Sequence, residues 1–498
     1  MTEIPLAGTS PTRAPSRLSR RALLGNAAWS VPAIVAVSAV PAVAASSTTT
    51  LTLTTPSMQV VASGITTLTV QLSGASGQSQ AGRAVSFSGP GTAQFAPVTA
   101  TTDSTGKATT RMTTTDTWAT PGSTLTVSAT TSDATATGAF TILGANASAA
   151  GSNRNSQLGT GSASTTISTP IQLLPAFPSP VRALAAGLSF TLALLDDGTV
   201  WSVGLNDSGQ LGDGTTTART RWGKIPSLST VTRIAAGSNT GYALRSDGTV
   251  WAWGENTSGE VGTGTTASPV SSPAQVTGVG GATQITAGSH SAYALLTDGR
   301  VRAWGQNANG QAGNGTVTTA NSTPVSVSGI VGATQVVAGA TSAYALVGGQ
   351  VVAWGQNTTG QLGNGSTTDS PVPVAVSGIT GATRLAATTS TGYALVGGQV
   401  RAWGAGTSGQ LGNGTTTTAT APVTVSAITD ATQITAGGSS AYALTGAGVV
   451  AWGGNASGQL GNGNTGSSST PVAVRALANV TVLGENMTGA SAMFFVRR

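Results

Sequence analysis

The sequence predicts an all-β protein, a seven-bladed β-propeller preceded by a smaller β-sandwich. Three observations predict it. The phrase Trp354-Gly355-Gln356-Asn357-Thr358-Thr359-Gly360-Gln361-Leu362-Gly363-Asn364-Gly365 returns at 151–161, 204–214, 254–264, 305–315, 404–414 and 453–463. Its period of roughly 50 residues suits propeller blades. A second phrase alternates with it: Ala235-Ala236-Gly237-Ser238-Asn239-Thr240-Gly241-Tyr242-Ala243-Leu244 has copies at 185–194, 286–295, 337–346, 386–395 and 435–444, with a weaker one within 482–495. Composition agrees, because 69 glycines and only 7% charged residues among abundant Thr and Ser favour turns and strands over long helices.

Residues 1–45 read as an export signal. Arg20-Arg21 is followed by a weakly apolar run from Ala27 to Val43, and Ala42-Val43-Ala44 offers small residues for cleavage between Ala44 and Ala45. Pro32 and Pro41 interrupt the run, which is short for a membrane span of roughly 20 residues, so no stable span is expected after cleavage. The segment resembles a twin-arginine signal.

Residues 46–143 form a separate unit. Alternation in Leu51-Thr52-Leu53-Thr54, Leu68-Thr69-Val70-Gln71-Leu72 and Leu125-Thr126-Val127-Ser128-Ala129, with turn clusters between, predicts a sandwich of short strands. Arg83-Ala84-Val85-Ser86-Phe87 followed by Thr102-Asp103-Ser104-Thr105-Gly106-Lys107-Ala108 resembles the bacterial Ig-like repeat of invasin and intimin. That resemblance implies a stalk.

Residues 144–498 form the propeller. One repeat reads as four strands: Pro324-Val325-Ser326-Val327, then Ala333–Gly339, Ser342–Val347 and Gln350–Trp354. Gly348-Gly349 reverses the last pair, where other repeats place Asp197-Gly198, Asp247-Gly248 or Asp298-Gly299, dipeptides that favour a two-residue hairpin. Recurring Trp253, Trp304, Trp354, Trp403 and Trp452, with Tyr242, Tyr293, Tyr344, Tyr393 and Tyr442, are expected to pack between neighbouring blades. The strand near 147–151, with Ala150 in the Trp position, is expected to close the ring against C-terminal strands within 480–496.

The recurring Trp-Gly-x-Asn-x-x-Gly-Gln-Leu-Gly-x-Gly, the Pro-Val-x-Val strand and the Ala-Gly-x4-Tyr-Ala-Leu phrase resemble the regulator of chromosome condensation repeat family. The resemblance implies a propeller that hosts unrelated tasks. One is guanine-nucleotide exchange on a small GTPase, which in that family uses an inserted β-wedge. Repeat spacings of 49–53 residues leave no room for one. Another is the β-lactamase inhibitor type, whose aromatic grip would fall on Ser238–Thr240 and Asn256–Ser258, where no aromatic residue stands.

Little chemistry is written into the chain. Beyond residue 45 stand 17 basic and 14 acidic residues, a net of +3. So slight a balance supplies no phosphate-neutralising surface, and nucleic acid is not an expected partner. No cysteine is present, which permits an extracellular setting. With His290 the one histidine, neither a catalytic triad nor a zinc site built from several His or Cys ligands is expected, and no phosphate-loop motif signals a cofactor.

Two places are candidate partner contacts. Arg219, Arg221 and Lys224 surround Trp222, which stands where other repeats have Pro273, Pro324 or Pro373. His290 replaces a small polar residue of the other repeats, Ser189, Asn239, Thr341, Ser390 or Ser439. The expected protein is therefore an exported, monomeric, non-enzymatic binder of a protein or cell-wall polymer, secreted or held non-covalently at the cell surface. A carboxylate-dependent extracellular hydrolase is the alternative.

Overall fold

Alternation of apolar and polar side chains places one side of the longer N-terminal strands in a shared core. The computed structural model describes residues 49–54, 59–61, 65–74, 80–90, 93–114, 124–143, 147–161, 163–173, 177–475, 477, 480, 482–484 and 492–496. The expected signal, with Ala44 and Ala45, lies outside the described residues. One N-terminal sheet runs Thr50–Thr54, Ile65–Ser73, Lys107–Thr114, Ala93–Ala96. The other runs Gln59–Val61, Thr135–Leu143, Thr124–Thr130, Ala84–Ser88, Thr99–Thr101. Leu51, Leu53, Leu68 and Val70 from the first meet Val85, Phe87, Val127 and Phe140 from the second in one buried cluster, as a period of two dictates.

From residue 147 onward the described residues form seven four-stranded antiparallel sheets. Six are continuous in sequence, spanning 181–224, 231–275, 282–326, 333–375, 382–424 and 433–473. The seventh draws on both ends of the region, in the order Ser164–Gln172, Ala147–Asn153, Ala492–Val496, Val482–Leu483. Ala150 lies opposite Met493 in it, and Ala492–Val496 touches the first strand of the 181–224 sheet, Val181–Ala186.

The apolar cores lie between sheets. In one cluster Tyr242, Leu244, Val250 and Val276 meet Ile285, Ala294 and Trp304 of the following sheet, and the same arrangement recurs at the next junctions. Each tyrosine meets the next sheet's tryptophan edge to face, with centroids 6.3 Å apart for Tyr242–Trp304 and 6.0 Å for Tyr293–Trp354, a favoured aromatic geometry. Where the repeat lacks Trp, at Ala150, Phe495 supplies the ring, 6.4 Å from Tyr442.

At each of the four Tyr–Trp junctions one backbone oxygen ties the two rings together. Gln311 O accepts from Tyr293 Oη at 2.9 Å and from Trp354 Nε1 at 2.8 Å. Gln361 O does the same for Tyr344 and Trp403. Burial of the phenols pushes their ionisation upward, so they remain hydrogen-bond donors. The Gly-Gln-Leu-Gly turn fits closely beneath: a Cβ on Gly363, at φ +65°, would lie 2.6 Å from Trp403 Cδ1, so only glycine serves there.

The hairpins divide into two kinds. At Gly348-Gly349, with φ of 56° and 78°, Val347 pairs with Gln350 across a two-residue turn. The Asp-Gly turns are one residue longer than expected. Leu195 N bonds Thr199 O and Gly198 N bonds Leu195 O, both at 3.0 Å, while Gly198 takes φ +75°. This is a three-residue loop with a left-handed glycine. Asp197 Oδ1 favours it by accepting from the Thr199 amide at 2.9 Å.

Candidate functional site

The loops joining the first two strands of successive sheets are hydrogen-bonded in series. Leu188 N donates to Ser238 O, Ser238 N to Ser289 O, Ser289 N to Ala340 O, Ala340 N to Thr389 O and Thr389 N to Gly438 O, at 2.9–3.1 Å. The rim is thus a fixed frame on which side chains differ between repeats. Leu188 is 53% exposed there, where the other repeats carry Ser, Ala, Thr or Gly.

One rim junction is chemically distinct. The loop after Val250–Gly254 carries Glu255 and Glu260, and the loop before Ser291–Leu296 carries His290. His290 Nδ1 lies 3.1 Å from Glu260 Oε1 and 3.9 Å from Glu255 Oε2. Glu260 is fully buried, and its other oxygen accepts from the Ser258 amide at 2.7 Å. Glu255 accepts from Asn239 Nδ2 at 3.1 Å and Thr257 Oγ1 at 3.2 Å. The hydrogen bond that the imidazole donates to Glu260 raises its pKa, burial opposes this, and the charges of Glu255 and Glu260 add to the rise. As a hydrolytic pair the two carboxylates are badly placed, since Glu260 presents no surface to a substrate.

Sequence reasoning marked His290 and missed both glutamates. The signal was present: Gly259-Glu260-Val261-Gly262 carries Glu where the other six copies carry Gln157, Gln210, Gln311, Gln361, Gln410 and Gln459.

The second expected contact patch requires correction. Trp222 is only 7% exposed, its ring 5.1 Å from Phe177 and packed on Gly159. The cause lies one strand away. Gly159 is the counterpart of Gly212, Gly313 and Gly363, which lie under Trp253, Trp354 and Trp403, but the Trp position serving Gly159 is held by Val203. Trp222 fills that slot from the outer strand, and its Nε1 finds no acceptor among the described residues. Arg219 turns to Asp213, with Nη2 2.6 Å from Oδ2. Arg221 and Lys224 remain exposed, and Lys224 lies across the strands from the half-buried Trp201.

The first strands surround a cavity of about 430 Å3, lined by Arg233, Gln284, Gln335, Arg384 and Gln433. Gln335 is a clamp: Nε2 donates to Leu385 O at 3.2 Å and Oε1 accepts from Leu385 N at 2.8 Å. Gln284 grips Val336 in the same way.

Sequence comparison matches residues 27–396 to a family described as the RCC1-like domain, and residues 397–444 and 448–488 to the regulator of chromosome condensation (RCC1) repeat. No curated protein matches the chain. Among solved structures, human WBSCR16 aligns with TM-score 0.64 and 22% identity, over 71% of this chain and 98% of its own. Yeast RCC1 (Prp20), solved bound to Kap60, aligns with TM-score 0.62 and 21% identity over 71% and 89%. Prp20p of Saccharomyces cerevisiae, reported with its binding properties to Gsp1p and histones, aligns with TM-score 0.61 and 22% identity over 71% and 91%. These likenesses establish an RCC1-like propeller fold. No helix among the described residues is long and apolar enough to cross a membrane.

Proposed function

Since this chain belongs to the RCC1-like domain family, we propose that it is an exported, non-enzymatic binding protein with a seven-bladed propeller as its head. The head recognises a protein or cell-envelope ligand on the rim that carries Leu188, Glu255 and His290. The N-terminal two-sheet unit acts as an Ig-like stalk. Seven four-stranded sheets, the last drawn from both ends of the region, support the blade count. The shared two-sheet core supports the sandwich, and Arg20-Arg21 with Ala42-Val43-Ala44 supports export.

The observation that carries the reading is a division of labour along each repeat. Its Trp, Tyr and Gln framework is buried and bonded to its neighbours, whereas the rim varies between copies and faces solvent. Framework of that kind holds a surface, and the task falls to the residues on it. Solved relatives with protein partners, yeast RCC1 with Kap60 and Prp20p with Gsp1p and histones, agree with a protein as ligand.

The test is capture from culture supernatant and from isolated cell wall by the full chain, compared with Leu188→Asp. A partner retained by the parent and lost with Leu188→Asp is the expected result. Equal capture by both, or turnover of a glycoside or ester substrate by the purified protein, would sink the proposal.

A further inference from the structure

We propose that Glu255, Glu260 and His290 bind one divalent transition-metal cation of the kind that accepts mixed imidazole and carboxylate ligation. The three side chains offer ligand atoms that all lie within 4.8 Å of one another. A cation held about 2.0–2.1 Å from nitrogen and oxygen ligands in a tetrahedral site sets those ligands ~3.4 Å apart. The two separations from His290 Nδ1, 3.1 Å and 3.9 Å, bracket that edge. The remaining carboxylate oxygens are held by Ser258 and Thr257, the outer support that fixes ligand orientation in metal sites, while Asn239 Nδ2 donates to Glu255 Oε2, the oxygen that faces His290.

Comparison between repeats is an independent argument. At this junction two positions depart together from the pattern of the other copies, and a third, variable in every copy, carries a second carboxylate. Glu260 replaces Gln, His290 replaces a small polar residue, and Glu255 stands where other copies have Leu205, Gln306, Gln356, Ala405 or Gly454. The framework needs none of these changes, because the Glu260 backbone oxygen still accepts from Tyr242 and Trp304, as Gln311 and Gln361 do for their rings. A fully buried carboxylate is costly without a cationic partner, and among the described residues the one basic side chain paired with Glu260 is His290. His290 and Glu255 stay partly open to solvent, which leaves an entry path. Two carboxylates and one imidazole suit Zn2+ or Mn2+ better than Ca2+, which takes six to eight oxygen ligands.

The site is independent of the partner's identity, so this proposal and the binding-rim proposal fail separately. The test uses the full chain purified without a histidine tag and stripped with EDTA, titrated calorimetrically with Zn2+ or with Mn2+. One equivalent should bind with a rise in thermal midpoint, and the single imidazole C2–H resonance should shift or broaden. Glu260→Gln, His290→Ser and Glu255→Gln each install a residue that a sister repeat carries, so the fold survives. Each should weaken binding at least ~10-fold. The proposal is overturned by no saturable uptake of either ion, by an imidazole resonance unmoved at saturation, by three variants that bind as the parent does, or by Ca2+ displacing the bound ion at equal concentration.

Discussion

Trp222 shows how one side chain compensates for another. Val203 leaves the slot over Gly159 without its tryptophan, and Trp222 enters from the outer strand, burying its ring but leaving Nε1 without an acceptor. An orphaned buried donor costs roughly 1–3 kcal/mol, so the ring's packing outweighs a real penalty. Trp222→Ala should lower stability by about 3–5 kcal/mol in urea unfolding, and adding Val203→Trp should recover part of that loss. No recovery would mean that the slot is not shared. Burial pushes the Asp213 carboxyl up, but the Thr215 hydroxyl and amide, Arg219 and Asn206 bring it below the usual carboxylate value on balance. A folded pKa below the unfolded one contributes stability above the unfolded value, and that contribution fades as pH falls through the folded one. Asp213→Asn should therefore lower the thermal midpoint at pH 7, with the difference shrinking as the medium becomes acidic. A gap constant with pH would contradict the assignment. Sequence alone misjudged Trp222 because its environment is made by Gly159 and Phe177, 63 and 45 positions upstream. The Glu260 departure was readable in the repeat. Its approach to His290 depends on which loops of adjacent sheets meet.

Strands were the most legible elements. The alternation, the Gly-Gly or Asp-Gly reversal of most repeats and the proline that most outer strands carry are local signals, legible from neighbouring residues alone. The type of Asp-Gly loop was not readable, because the dipeptide suits both a two-residue turn and the three-residue loop found at Asp197-Gly198. Nor was the clamp role of Gln284 and Gln335, whose partners Val336 and Leu385 stand 52 and 50 residues away. Gln335→Leu removes both clamp bonds to Leu385, and unfolding in urea should show a loss of about 1–2 kcal/mol. An unchanged midpoint would show that channel water serves the Leu385 backbone equally well.

At the scale of the molecule, repetition made the all-β class and the family's architecture legible, since seven copies of one phrase leave few alternatives. Ligand and location are another matter. Rim side chains are free to differ precisely because the frame beneath them does not use them, so no internal pattern identifies what they meet. Deleting 484–498 removes Met493, Phe494, Phe495 and Val496 from the buried cluster of the seventh sheet. At roughly 1.5–3 kcal/mol per buried apolar side chain, the thermal midpoint should fall by on the order of 10 °C or more. An unshifted melting curve would show that the sheet does not depend on its C-terminal strands.

The two-sheet unit ends at Leu143, and Ala147 begins a strand flanked on one side by Ala492–Val496 and on the other by Ser164–Gln172. A pull delivered from the N-terminal unit therefore arrives along a strand gripped on both edges, where several hydrogen bonds must shear at once instead of peeling singly. Extension at constant speed should therefore break that sheet in one large force event, and gradual lengthening at low force would show that the strand is not held on both edges.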